Sequence, residues 1–213
     1  MEHRVYIFAP TFSNFARSIM LCCEEKGIAY RCGMAPQGTE IGFRSPEHLE
    51  LHPYGKVPVL FHEGQTLFET NTICRYLDTR FTGPALQPAD PMARARVDER
   101  CGEIALYIDQ ALLREIVLEF AFPKGTDGRV RRDLVEEKLP AARAVLQRLG
   151  TLLGDSPFIC GPHYTLADAL LTPILDYVDK LPIGGELIGT GPLQHYLERM
   201  RERPSGQQVL NAG

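Results

Sequence analysis

Residues Tyr54–Leu77 read YGKVPVLFHEGQTLFETNTICRYL, and this stretch decides the fold. Val57 to His62 is a short apolar run of strand character, Glu63-Gly64 is a tight turn, and Gln65 to Phe68 is the hairpin partner. Thr70 offers a helix N-cap, and Ile73, Cys74 and Leu77 follow it as an apolar stripe at helical spacing. Pro58 sits where a strand begins, one of the few positions a sheet tolerates proline. A cis Val57-Pro58 bond would sharpen the turn and leave the N–H and C=O of Val57 for an extended peptide, a small-scale strand addition. The second strand ends on Glu69 and the next helix opens on Thr70. A helix N-terminus suits a carboxylate, and an adjacent acid suits an ammonium. Both features point to a small peptide with a free amino-acid end.

Working outward, Arg4 to Ala9 is expected as a first strand, and Ser13 as the cap of a helix reaching about Gly27. Phe15, Ile19, Cys22 and Cys23 mark the buried face of that helix, and Ile28 to Cys32 a second, parallel strand. Pro46 to Leu51 is a short helix. The order β-α-β-α-β-β-α is the pattern of a thioredoxin-like domain covering residues 1–80. Residues 81–90, rich in Pro and Gly, read as a linker, and 91–213 as all-helical, so the fold class is α+β. Val97, Cys101, Ile104, Ile108 and Ala111 give one helical stripe, expected to run from about Pro91 to Phe120. Val135, Leu139, Ala142, Leu146, Leu149 and Leu153 give another, kinked or restarted at Pro140. Thr165-Leu166-Ala167-Asp168 is a capping box, with Tyr164 before it as a weak staple onto Ala169. Gly184 to Gly191 reads as a loose loop, and Leu193 to Met200 as the last clear helix.

The arrangement around Pro58, Glu69 and Thr70 resembles the glutathione site of the cytosolic glutathione transferases. That family most often has Ser where this chain has Thr70. The Thr165 box and the terminal RPSGQQVL resemble the same family, so the likeness covers nearly the whole chain. The stretch S-N-F-A-R from Ser13, followed by EEKG, resembles its serine-type classes, phi and theta. The resemblance implies that Ser13 holds the glutathione sulfur as thiolate and that Arg17, one turn on, adds positive potential. Residue type alone favours Ser13 as a plain cap, and only the glutathione site around it reverses that reading. Thr11 and Asn14 stand as substitutes, and Cys22 and Cys23 lie too far along the helix. Lys56, and more weakly His52, are candidates for the glycyl carboxylate beside Val57, Pro58, Glu69 and Thr70; Lys56 reads as well as a solvated lysine. Phe12, Phe15, Tyr107, Ala111 and Arg114 are candidates to meet the electrophile, although each also reads as ordinary packing. An acid contributed by the partner subunit is doubtful, because spacing from Asp98 puts Gly102 at its position, with Glu103 adjacent.

Composition excludes several classes. A net charge of -4 argues against a partner held by phosphate contacts. No apolar run approaches the roughly twenty residues of a membrane span, and the opening MEHRVYIFAPTF has too short an apolar stretch for a signal peptide. The six cysteines show no metal-ligand spacing and read as reduced thiols, so no metal is expected. The implied protein is a cytoplasmic, homodimeric glutathione transferase acting in detoxification. It would take glutathione as co-substrate and attack a hydrophobic electrophile. A glutathione-dependent dehalogenase, isomerase or ether-cleaving enzyme, or a catalytically silent binding module, are the alternatives on the same fold.

Overall fold

The computed structural model describes residues 5–36 and 38–210. They gather into two compact units, one running to Gln87 and resuming at Arg203, the other spanning Pro88–Glu202.

The first unit is built on four short strands, β1 (Val5–Phe8), β2 (Tyr30–Gly33), β3 (Val59–His62) and β4 (Gln65–Phe68), in the order β2-β1-β3-β4. β1 pairs parallel with β2 and antiparallel with β3, whereas β4 returns antiparallel to β3. Arg4, expected to open β1, lies outside the described residues. The β3–β4 turn closes at His62 and Gln65, with φ of 49° at Glu63 and 75° at Gly64. Two positive φ values give the tight two-residue hairpin its right-handed twist.

Helix α1 (Asn14–Lys26) follows β1, α2 (Pro46–Leu51) follows β2, and α3 (Thr70–Arg80) follows β4. Ile19, Cys22 and Cys23 are fully buried in α1, as the stripe predicts, but Ala16, Arg17, Ser18 and Leu21 are buried too. Phe15 is only half-buried. The reason is that α1 packs on both α3 and a last short helix, α10 (Pro204–Leu210). Arg203 holds α10 there by donating to the two Glu25 carboxylate oxygens at 2.8 and 2.6 Å, and Ser205 bonds the same carboxylate. The terminal segment therefore joins the first unit, where the expectation set all of 91–213 apart. The residues read as linker are also tied down. Lys26 Nζ donates to Asp78 and to the Pro84 carbonyl, both at 3.0 Å, while Asp78 accepts from Leu86 N–H at 2.8 Å.

In the second unit the expected long helix is α4 (Pro91–Glu103), then a π-helical segment (Ile104–Val117), then one turn of α-helix, α5 (Leu118–Ala121). The buried positions of the π-helical segment are Ile104, Ile108, Asp109, Leu112, Leu113, Ile116 and Val117, while Ala111, expected in the stripe, is half-buried. Helix α6 (Arg132–Leu153) runs through Pro140 as one element, the proline lying on its exposed side where water can meet the carbonyl it leaves unpaired. Leu139, expected in the stripe, is half-buried.

Helix α7 (Leu166–Asp179) is the centre of this unit, buried on all sides from Leu166 to Asp176 and packed on α4, the π-helical segment, α8 (Gly184–Ile188) and α9 (Pro192–Glu202). Its capping box forms as expected. Tyr164 makes an edge-on ring contact with Phe158 at 5.8 Å. The stretch read as a loose loop from Gly184 holds α8 instead. Gly184 comes so close to the Asp179 carbonyl oxygen that a Cβ would stand 2.1 Å from it, and only glycine permits that approach. Among the described residues no helix is long and apolar enough to cross a membrane.

Candidate glutathione site

The corner before β3 is built as a stack of constraints. Helix α2 is capped by Ser45, whose hydroxyl accepts from His48 N–H at 3.3 Å. It ends at Leu51 with His52 as its C-cap, and Gly55 N–H then bonds the His52 carbonyl at 2.8 Å. Gly55 has φ 54°, and a Cβ there would meet Arg44 Cγ at 3.1 Å and Leu49 Cδ2 at 3.2 Å. The chain therefore passes close under α2 on its way to Lys56. The Val57-Pro58 bond is cis, and β3 begins only at Val59, which pairs with Phe8 and Phe68. Val57, expected inside the strand, lies just before the ladder, half-buried, while Lys56 is exposed.

His52 is buried, its ring against Phe68 at 4.6 Å. Its Nδ1 accepts from Tyr54 N–H at 3.3 Å, so Nε2 carries the proton of the neutral ring. Burial pushes its pKa down, and the nearby Glu69 carboxylate opposes that shift.

At the other side of β4, Glu69 occupies the N-cap position expected for Thr70, and Thr70 is the first residue of α3. The reason is backbone conformation. Glu69 has φ 69° and ψ 112°, outside both helix and strand regions and costly for a residue with a Cβ, of order 1–3 kcal/mol. Its side chain makes no cap hydrogen bond and is exposed, so the carboxylate stays available. The first turn of α3 has no acid of its own, and no side chain caps its N-terminal donors.

Ser13 heads α1 in extended conformation, φ -62° and ψ 125°, and its Oγ accepts from Ala16 N–H at 3.4 Å. A serine hydroxyl has two lone pairs and one proton, so accepting a cap bond leaves the O–H free to donate. The two readings of Ser13 are compatible. Arg17 is buried at 3% exposure, where its charge acts through a poorly screening medium. Asn14 is buried with no hydrogen-bond partner to its Oδ1, and Thr11 and Phe12 are exposed, Phe12 at 61%.

In the second unit, Tyr107 is 68% exposed. Arg114, a candidate electrophile contact, donates from Nε to Asp109 at 2.5 Å, and Gln110 bonds Glu115 at 3.1 Å. Both pairs are five residues apart, the spacing a π-helix stacks. Asp109 is buried, which raises its pKa against the opposing pull of Arg114. Glu103 is engaged within its own unit by Arg148 at 2.7 Å and by Arg100. Among the described residues the six cysteines form no disulfide; Cys32 and Cys160 are pushed up to about 11 by burial, which suits inert thiols rather than nucleophiles. Among the described residues no cluster of three His, Cys, Asp or Glu side chains could hold a metal ion.

Comparison with known proteins gives the family. Residues 12–80 match the family model of the glutathione S-transferase N-terminal domain, and residues 110–204 that of its C-terminal domain. A glutathione S-transferase of Pseudomonas putida is 35% identical over 93% of this chain and 87% of its own. The chain belongs to the glutathione S-transferase family of enzymes. A stringent starvation protein A homolog of Pasteurella multocida is 28% identical, covering 96% of this chain and 89% of its own. The theta class glutathione S-transferase of Xanthomonas axonopodis pv. citri, solved with glutathione bound, superposes with a TM-score of 0.85. It covers 99% of both chains at 24% identity.

Within this transferase, the expected residues of the first unit fall on the ends of two helices and on the corner before β3. Sequence reasoning overlooked His48, which lies fully buried between Phe8 and Phe43 and bonds the Lys56 carbonyl at 2.8 Å. A lone histidine inside PEHL carries no signal of that role.

Proposed function

We propose that this transferase binds glutathione on its first unit and attacks electrophilic carbon with the bound sulfur. Val57 supplies strand-like backbone pairing beside Pro58, the Glu69 carboxylate meets the γ-glutamyl ammonium, and the α3 N-terminus with Thr70 takes the adjacent carboxylate. Lys56 and the Nε2–H of His52 serve the glycyl end. The thiol loses its proton to solvent on binding, and Ser13 O–H, the α1 N-terminus and Arg17 hold the resulting thiolate. A C–S bond then forms to a hydrophobic electrophile, and the leaving group departs with its electron pair. Phe12 and Phe15, beside Ser13, are the proposed contacts of that electrophile. The active form would be a cytoplasmic homodimer serving detoxification, with no metal. The observation that carries the reading is the Ser13 hydroxyl, which caps α1 by accepting and so keeps its proton for the sulfur.

Retention on immobilised glutathione, followed by a panel of electrophiles with glutathione consumption as readout, tests it. Consumption confined to halogenated, isomerisable or ether substrates would move the assignment to those activities. The relatives named stringent starvation protein A homologs favour a second reading, a binding or regulatory role, which retention without any turnover would support. Glu69→Ala should weaken glutathione binding by about 1–3 kcal/mol, because the ligand ammonium loses a charged partner. Calorimetry finding unchanged affinity would remove Glu69 from the site.

A further inference from the structure

We propose that His48 is a positioning residue that orients the Lys56–Val57 peptide so that the Val57 N–H faces the ligand; the inference rests on the glutathione reading above. The ring has no exposure to solvent and makes an edge contact with Phe8 at 5.1 Å. Its two nitrogens bond backbone groups on two sides. Nδ1 lies 2.9 Å from Arg44 N, which can only donate, so Nδ1 is the acceptor. The proton of the neutral ring is then on Nε2, which donates to the Lys56 carbonyl at 2.8 Å. Arg44 itself has φ 61°, unusual for a residue with a Cβ, so the ring also secures a strained turn.

The consequence follows from peptide planarity. Among the described residues the cis bond is Val57-Pro58, so the Lys56–Val57 unit is trans and planar, with C=O and N–H pointing in opposite directions. A Lys56 carbonyl drawn inward onto a buried ring sends the Val57 N–H outward. Without the Nε2 bond the plane is held on one side by the covalent chain alone and can rotate, and an extended ligand loses a preset donor. His48 touches no reacting atom, so its effect belongs in binding and not in the chemical step.

His48→Phe keeps an aromatic ring between Phe8 and Phe43 but removes both nitrogen bonds. His48→Gln returns an N–H at about the distance of Nε2. With assays run below each variant's melting temperature, His48→Phe should raise the KM for glutathione about tenfold. Its kcat at saturating glutathione should stay within about threefold, and His48→Gln should recover most of the loss. A lower melting temperature with KM unmoved would make the ring merely structural and overturn the proposal. The wild-type protein gives a second test, independent of whether a variant folds. Adding S-methylglutathione should shift the Val57 amide resonance as its N–H takes up a hydrogen bond. Binding without any change at Val57 would sink this inference alone. No binding by the wild type would remove the glutathione reading, and this inference with it.

Discussion

Ser13→Ala should lower turnover by about 10²–10³, the cost of losing one oriented donor to an anion. The KM for glutathione should change much less, because Val57, Glu69 and Thr70 remain. The helix should lose little, since the cap bond from Ala16 is long, 3.4 Å, and a weak cap is worth about 0.5 kcal/mol. This separation of chemistry from stability is what distinguishes a thiolate donor from a plain cap. Full turnover together with a slightly lower melting temperature would leave Ser13 as a cap only. The sulfur would then fall to Thr11, Asn14, Arg17 or a backbone N–H.

Asp168→Ala should be the most destabilising of the substitutions considered, at about 3–5 kcal/mol. The carboxylate is fully buried and accepts four hydrogen bonds, from Ile159 N–H (2.9 Å), Thr165 N–H (2.8 Å), Thr165 Oγ1 (3.0 Å) and Tyr196 OH (3.1 Å). Alanine strands these donors in the core, and the melting temperature should fall by roughly 10 °C. Glutathione affinity of the folded fraction should stay as it is; a large loss of affinity at unchanged melting temperature would contradict the structural role. The pH dependence has a definite sign. Burial raises the Asp168 pKa from 3.8 to about 6, although all four bonds oppose the shift. The folded state then holds the proton more tightly than the unfolded chain. The stabilisation this confers is complete below about pH 4 and lost as pH rises through about 6. Denaturant titrations across that window should lose this slope in Asp168→Ala.

The first unit is readable in the sequence because its signals are local. Apolar runs of strand length alternate with capped helices, and α1 and α2 begin and end at Ser13, Gly27, Pro46 and Leu51 for reasons of side chain and backbone chemistry. The corner at Pro58 is readable for the same reason. Four features escape such reading, two through backbone conformation and two through a partner the fold brings near. Glu69 takes the cap position through a φ/ψ pair that no residue propensity favours in glutamate. The π-helical segment buries the doublets Leu112-Leu113 and Ile116-Val117, which serve a 3.6-residue period almost as well. Helix α10 is assigned to its unit by Glu25, which Arg203 and Ser205 find across most of the chain length. His48 acquires its role from Arg44 and Lys56, which the fold brings to its two nitrogens.

The central claim is that the glutathione sulfur is held as an anion at the head of α1. The most direct measurement is the pH titration of the ultraviolet thiolate absorbance of glutathione bound to the wild-type protein and to Ser13→Ala. The bound thiol should titrate well below the roughly 8.5 of an ordinary thiol in the wild type, and should move back towards that value in Ser13→Ala. A thiol titrating at its ordinary value on the wild-type protein, or identically on both proteins, would contradict the account.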